Sequence, residues 1–220
     1  DNPEFREAKR QGIPMLSRAE LLGQLMRCYG ESIAVSGTHG KTTTTSMLSL
    51  ILLAAKKDPT ISLGGNLDAI GGNIRVGGSE TFLLEACEYT NSFLSFFPTL
   101  EVILNIEADH LDFFKDIDDI RHSFRSFVKR MPENGSLVID NRIRDYGEIV
   151  GDFKGKVVTV GTEAADYYPT DIRFDERGNA AFTPTEHGKA LPRIQLCVPG
   201  EHNVYNALAA LAACRLLGIP

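Results

Sequence analysis

The sequence predicts an α/β fold: a phosphate-binding loop on a mainly parallel sheet, flanked by helices, with a small antiparallel β patch. Three observations predict it. Short apolar runs at residues 33–36, 82–84, 102–106, 136–139 and 156–160 alternate with longer helical patterns, as strands and crossover helices of a parallel sheet do. The first run enters Gly37-Thr38-His39-Gly40-Lys41-Thr42 and then a Thr-, Ser-, Leu- and Ala-rich stretch to about residue 55, giving strand, glycine loop and helix in order. Residues 166–198 break the alternation: 171–174 and 180–183 flank a Gly178-Asn179 turn, and 194–198 supply a third strand of an antiparallel patch.

The elements follow in chain order. Residues 4–10 and 17–28 read as helices, the second opened by Ser17 with Glu20 three residues on, a capping-box spacing. The glycines at 64, 65, 71, 72, 77 and 78 favour loops and tight turns over residues 64–78. The strand at 82–84 ends at Glu85, and that at 102–106 ends at Glu107-Ala108-Asp109-His110. A helix over about 117–130 carries Ile120, Phe124, Phe127 and Val128 on one face. Residues 203–217 form an Ala/Leu-rich buried helix.

Composition narrows the partners. Hydrophobic content of 43% and charged content of 24% are those of an ordinary globular chain. The net charge of −6 argues against nucleic acid and against an anionic membrane surface, both of which select basic faces. Cys28, Cys87, Cys197 and Cys214 are scattered, which fits a reducing compartment, and no apolar run reaches the roughly 18 residues of a membrane span. The cytoplasm is the expected location. An Asp at residue 1 and a final Pro220 after the helix-ending Gly218 suggest a middle portion of a longer protein.

The chemistry gathers at strand ends. Backbone N–H groups from Gly37 to Thr42 can cradle phosphate oxygens, with Lys41 reaching the β- and γ-phosphates of ATP and the Thr42 hydroxyl holding Mg²⁺. The loop is the short G-T-x-G-K-T form, since the longer G-x-x-x-x-G-K-[ST] form needs a glycine where Val35 stands. Glu85, at a carboxyl strand end, is a fitting Mg²⁺ ligand opposite Thr42. His110 with Asp109 ends the next strand; it is either a structural histidine or a second metal ligand or substrate contact, and His39 inside the loop poses the same choice. Near the last helix, Asn203 either caps it or, with Asn206 and His202, contacts the nucleotide, a side-chain amide reading adenine.

Four motifs in order resemble the Mur ligases: Gly37-Thr38-His39-Gly40-Lys41-Thr42-Thr43, Glu85-Ala86-Cys87-Glu88-Tyr89, Asn105-Ile106-Glu107-Ala108-Asp109-His110-Leu111-Asp112 and Pro199-Gly200-Glu201-His202-Asn203-Val204-Tyr205-Asn206-Ala207. The resemblance implies the ATP-binding central domain of that family over residues 31–220. It also implies that residues 1–30 are the tail end of an N-terminal, UDP-substrate-binding domain, and that a C-terminal domain lies in cis outside this chain. It implies Gly37 through Thr43 as nucleotide contacts, with His202, Asn203 and Asn206; Lys41, Glu85 and His110 as catalytic; and Thr42, Glu85 and His110 as metal ligands.

His39 in the loop is similar to members that act on UDP-N-acetylmuramate, adding either L-alanine or a recycled murein tripeptide, and residues 85–93 are more similar to the L-alanine-adding members. Many of those carry Asp where this chain has Cys87 and Thr90. The implied chemistry is ATP-dependent amide formation through an acyl phosphate, in peptidoglycan precursor synthesis. An ATP-binding module without ligation is the alternative from another class. A P-loop kinase or GTPase is disfavoured by Val35 and by the lack of an N-K-x-D-like guanine motif.

Overall fold

The computed structural model describes residues 2–220 and shows one eleven-stranded sheet between two helical layers. β1 (Glu31–Ser36) lies centrally, with β4 (Thr81–Glu85) on one side and β5 (Leu100–Ile103) on the other, both parallel to it. Beyond β4 come β2 (Thr60–Leu67) and, antiparallel to it, β3 (Gly72–Arg75). Beyond β5 run β6 (Ser136–Asp140), β7 (Lys156–Val160) and β8 (Tyr167–Phe174), all parallel. The expected antiparallel patch follows: β9 (Asn179–Glu186) pairs with β8, with β10 (Lys189–Ala190) and with β11 (Ile194–Pro199).

Alternate side chains of the central strands feed two cores. Ile33, Val35, Leu83, Val102 and Val138 face α3 (Lys41–Ala54) and α6 (His202–Leu216). On the opposite face Ala34, Leu84, Ile103 and Ile139 meet Met26 of α2 (Arg18–Met26) and Phe124 and Phe127 of α4 (Ile117–Val128). Burial on both faces explains why these strands read as continuous apolar runs rather than as alternating ones. The alanines at 207, 209, 210, 212 and 213 are buried along α6, and their small side chains let it lie close to α3 and the sheet. The Ser17 capping box is present, with the Ser17 side chain accepting from Glu20 N–H and the Glu20 carboxylate accepting from Ser17 N–H.

Several elements differ from expectation. Residues 64–78 are not all loop, because β2 continues to Leu67 and β3 returns over Gly72–Arg75. Gly64 sits in a strand because a Cβ there would lie 2.7 Å from a Glu85 carboxylate oxygen, so close approach rather than turning is its purpose. β5 stops at Ile103 rather than running to residue 106, since Asn105 turns its amide onto the glycine loop. Asn203 is not the cap of α6; Glu201 occupies that position without a side-chain cap bond. The short α5 (Tyr146–Val150) and a 3-10 segment over Tyr89–Ser95 were not expected, and the first helix, α1, spans Pro3–Arg10. Among the described residues no helix is long and apolar enough to cross a membrane.

Candidate nucleotide and acyl-transfer site

The strand order reverses at β1, and the carboxyl ends of β1, β4, β5 and β6 open onto one crevice, the position where open α/β sheets bind ligands. From β1 the chain passes through Gly37 and Gly40 into α3. Gly40 occupies the cap position of α3 in the left-handed conformation, φ 82°, and makes no side-chain cap. A Cβ at Gly40 would lie 2.6 Å from Asn206 Oδ1, so any larger residue would collide with α6. The first-turn donors of a 14-residue helix thus stay uncapped and point into the crevice, as a phosphate site requires.

The segment after β5 fastens this loop. Thr38 N–H donates to Asn105 O (3.1 Å), and His39 N–H donates to Asn105 Oδ1 (2.7 Å). Asn105 Nδ2 donates to His39 O (2.9 Å), while Glu107 N–H donates to Thr38 Oγ1 (2.9 Å). Two loop donors expected for phosphate are therefore spent on Asn105, which leaves Gly40, Lys41, Thr42 and Thr43 at the start of α3 as the candidate cradle. The His39 imidazole is exposed, 3.8 Å from Glu107. Asn105 is a positioning residue to which the sequence reading gave no role, although it lies in a quoted motif.

Lys41 folds back on its own loop. Its ammonium donates to Gly37 O (2.6 Å), Thr38 O (3.0 Å) and Glu88 (2.9 Å), whose side chain is 2% exposed. Glu88 also lies 4.0 Å from His110 Nε2, and His110, at φ 52°, stacks on Tyr89 with ring centroids 4.5 Å apart. Glu88 is a second residue missed by the sequence reading; only its place three residues beyond Glu85 could have pointed to it. Thr42 Oγ1 donates to Glu85 Oε2 (2.8 Å), and Gly64 N–H donates to the same oxygen (2.9 Å). Thr42 and Glu85 are thus brought together as expected, whereas His110 joins through Glu88.

A second cavity on the far side of Glu85 is lined by Arg18, Cys87, Thr90 and Asn91. Thr90 and Asn91 both have left-handed backbones, φ 54° and 58°, and for β-branched Thr90 that conformation costs about 1–3 kcal/mol. Asn91 is fixed by the Ser123 hydroxyl.

On the other side of the loop a cavity of about 730 Å³ extends from Gly40 and Asn206 to Asp140 and Val160. His202 lines it. Asn203 instead supports Asn206: its Oδ1 accepts from Asn206 Nδ2 (2.9 Å), and its Nδ2 donates to Pro199 O (2.7 Å). Asp140 ends β6 as Glu85 ends β4, and the same strand-end argument could have found it.

With this geometry established, comparison with known proteins is decisive. The sequence profile of the Mur ligase middle domain matches residues 35–214. The chain belongs to the Mur ligase family. It is 56% identical, over its whole length, to the UDP-N-acetylmuramate–L-alanine ligase of Lachnospira eligens, and 58% identical over 99% of its length to that of Agathobacter rectalis. The chain spans about half the length of these curated relatives, 48% of each.

Among solved Mur ligase structures, the UDP-N-acetylmuramate–alanine ligase of Thermotoga maritima superposes over 99% of this chain and 49% of its own, at TM-score 0.83 and 31% identity. The UDP-N-acetylmuramate:L-alanyl-γ-D-glutamyl-meso-diaminopimelate ligase of Neisseria superposes over 98% and 70%, at TM-score 0.85 and 27% identity. The two structures match almost equally, so the fold establishes the family and does not choose between their acceptors.

Proposed function

We propose that this chain is the nucleotide-binding part of a cytoplasmic ligase that joins L-alanine to the lactyl carboxylate of UDP-N-acetylmuramate at the expense of ATP. The observation that carries the reading is the meeting of Lys41, Thr42, Glu85 and Glu88 at the uncapped start of α3. The acceptor follows from identities of 56–58% to L-alanine ligases, against 27% to the tripeptide-adding structure.

In the first step the substrate carboxylate attacks the γ-phosphate of ATP, giving an acyl phosphate and ADP. In the second, the amine of L-alanine attacks the acyl carbon and phosphate leaves. The first step brings two anions together, and unit charges about 4 Å apart repel by about 4 kcal/mol at an effective dielectric of about 20. Lys41 opposes that repulsion. To do so its ammonium exchanges the carbonyls of Gly37 and Thr38 and the Glu88 carboxylate for phosphate oxygens, a change of partner that a compact charge on a flexible stem makes readily. Backbone N–H groups at the start of α3 hold the phosphates in line.

The donor set also fits Mg²⁺. Among the described residues no three His, Cys, Asp or Glu side chains gather into a metal cage, and the Thr42 hydroxyl with the Glu85 carboxylate offers the few oxygen ligands Mg²⁺ takes when phosphates supply the rest. Thr42 and Glu85, with His110 beyond Glu88, are the residues that would hold it. When bound, the ion neutralises phosphate charge and polarises the transferred group. Residues 1–30 fit the end of a UDP-substrate-binding domain, since this segment exposes Phe5, Leu16, Leu21 and Leu25.

The test is phosphate release by the full-length protein with Mg·ATP and UDP-N-acetylmuramate, run with L-alanine, with murein tripeptide and with neither. Release that needs L-alanine supports the proposal. Release that needs tripeptide reassigns the acceptor, and ATP binding without release under any condition leaves a nucleotide-binding module.

A further inference from the structure

The nucleotide cavity holds a built arrangement at the end away from the glycine loop. Asp140, 2% exposed, closes β6 and points into the cavity wall. Arg142 grips it with a fork: Nε donates to Oδ1 (3.0 Å), and Nη2 donates to Oδ2 (2.6 Å). The Arg142 backbone N–H also donates to Asp140 Oδ1 (2.8 Å). The guanidinium carbon lies 3.3 Å from the centroid of the Tyr205 ring, on α6 next to Asn206.

The loop carrying Arg142 is itself fixed. Asn141 Nδ2 donates to Thr162 Oγ1 (2.8 Å), and Thr162 N–H donates to Asn141 Oδ1 (2.9 Å). A planar cation is thus held flat by a bidentate carboxylate on one edge and an aromatic ring on one face.

Two features say what this plane meets. Asp140 neutralises Arg142, so the pair offers a phosphate little net attraction. The neighbouring cavity walls are Leu104, Ile143, Val160 and Ala209, apolar surface that suits a flat base rather than an anion. Resting on the reading that the triphosphate lies at the start of α3, we propose that Arg142 is the stacking platform for the adenine of ATP, and that Asp140 is the positioning residue that keeps it flat. With Arg142 covering the face of the base, the Asn206 amide, which lines the same cavity, is left to read its edge.

Calorimetric titration of the full-length protein with Mg·ATP and with Mg·tripolyphosphate, which has no base, tests the assignment. Arg142→Ala should weaken ATP about tenfold, the usual worth of one base-stacking contact, and leave tripolyphosphate unchanged. Arg142→Lys keeps the charge and its pairing with Asp140 but loses the plane, and should weaken ATP similarly. Asp140→Asn should produce a smaller loss, again confined to ATP. Unchanged ATP binding in Arg142→Ala, or equal weakening of both ligands, overturns the proposal. A wild-type protein that binds neither ligand strikes the phosphate-site reading itself, a failure distinct from loss of the ATP-only effect.

Discussion

The two ends of the nucleotide crevice each carry a buried carboxylate paired with a cation, and they differ in what the cation can do. At the phosphate end Glu88, 2% exposed, holds the Lys41 ammonium, which also leans on two carbonyls of the loop it serves. At the far end Asp140, 2% exposed, holds one edge of Arg142 by two bonds against Tyr205. A lysine has three equivalent donors on a flexible stem and trades partners; an arginine in a bidentate fork has its orientation fixed. On the proposed function, one pair is a reservoir from which charge is released to the reacting phosphate, and the other is a rigid surface. A third buried carboxyl, Glu101 on β5, has no cation partner among the described residues: Ser36 Oγ donates to its Oε1 at 3.4 Å, and its Oε2 has no partner among them.

The largest effect should come from removing the moving charge. Lys41→Ala should lower kcat/KM for phosphate release by about 10²–10³-fold, as loss of a transition-state charge partner does, and near-normal turnover would break the phosphate half of the comparison. Next, Glu85→Gln removes charge from the Thr42–Glu85 pair, so half-maximal activity should need roughly tenfold more Mg²⁺. An unchanged Mg²⁺ titration would take Glu85 out of contact with the ion.

Glu88→Gln sharpens the contrast between the pairs. If Lys41 must leave Glu88 to reach phosphate, weakening that bond should tighten ATP by roughly threefold to tenfold while lowering the melting temperature of the nucleotide-free protein. Weaker ATP binding would mean that Glu88 positions Lys41 rather than restraining it.

The smallest effect, and one outside the reaction, belongs to Glu101. Burial raises its pKa well above 4.5, with the Ser36 hydrogen bond opposing only in part. The folded chain therefore keeps a proton that the unfolded chain releases above the ordinary carboxylate range. Each pH unit from there up to the folded pKa removes about 1.4 kcal/mol of stability. Glu101→Gln, uncharged throughout, should be more stable than the parent near neutral pH, with the gap closing toward pH 4.5. Urea midpoints across that range check it, and parallel pH profiles for the two proteins would contradict it.

The sequence made the central strands, the glycine loop, Glu85 and the β8–β9 hairpin legible because each has a local signature: an apolar run, a fixed glycine–lysine spacing, a charge at a strand end, a Gly-Asn turn. What it hid is non-local. β2 was obscured by its glycines, of which Gly64 serves the approach of Glu85 from another strand and Gly65 that of Thr42 from α3. α5 is five residues long and opens from Asp145 in the left-handed region, without a side-chain cap to announce it. Glu88 gains its meaning only when Lys41 folds onto it from 47 residues away. Asp140 stood at a readable strand end, but its pairing with Arg142 and the stacking on Tyr205 require α6 to return across the sheet.

The most direct test of the account is a crystal structure of the full-length protein with Mg²⁺ and a non-hydrolysable ATP analogue. Lys41 Nζ should lie on phosphate oxygens, parted from Gly37 O and Thr38 O, with the Arg142–Asp140 fork intact and the base against the guanidinium. Lys41 still bound to Glu88 and its loop carbonyls, with phosphates held elsewhere, would contradict it.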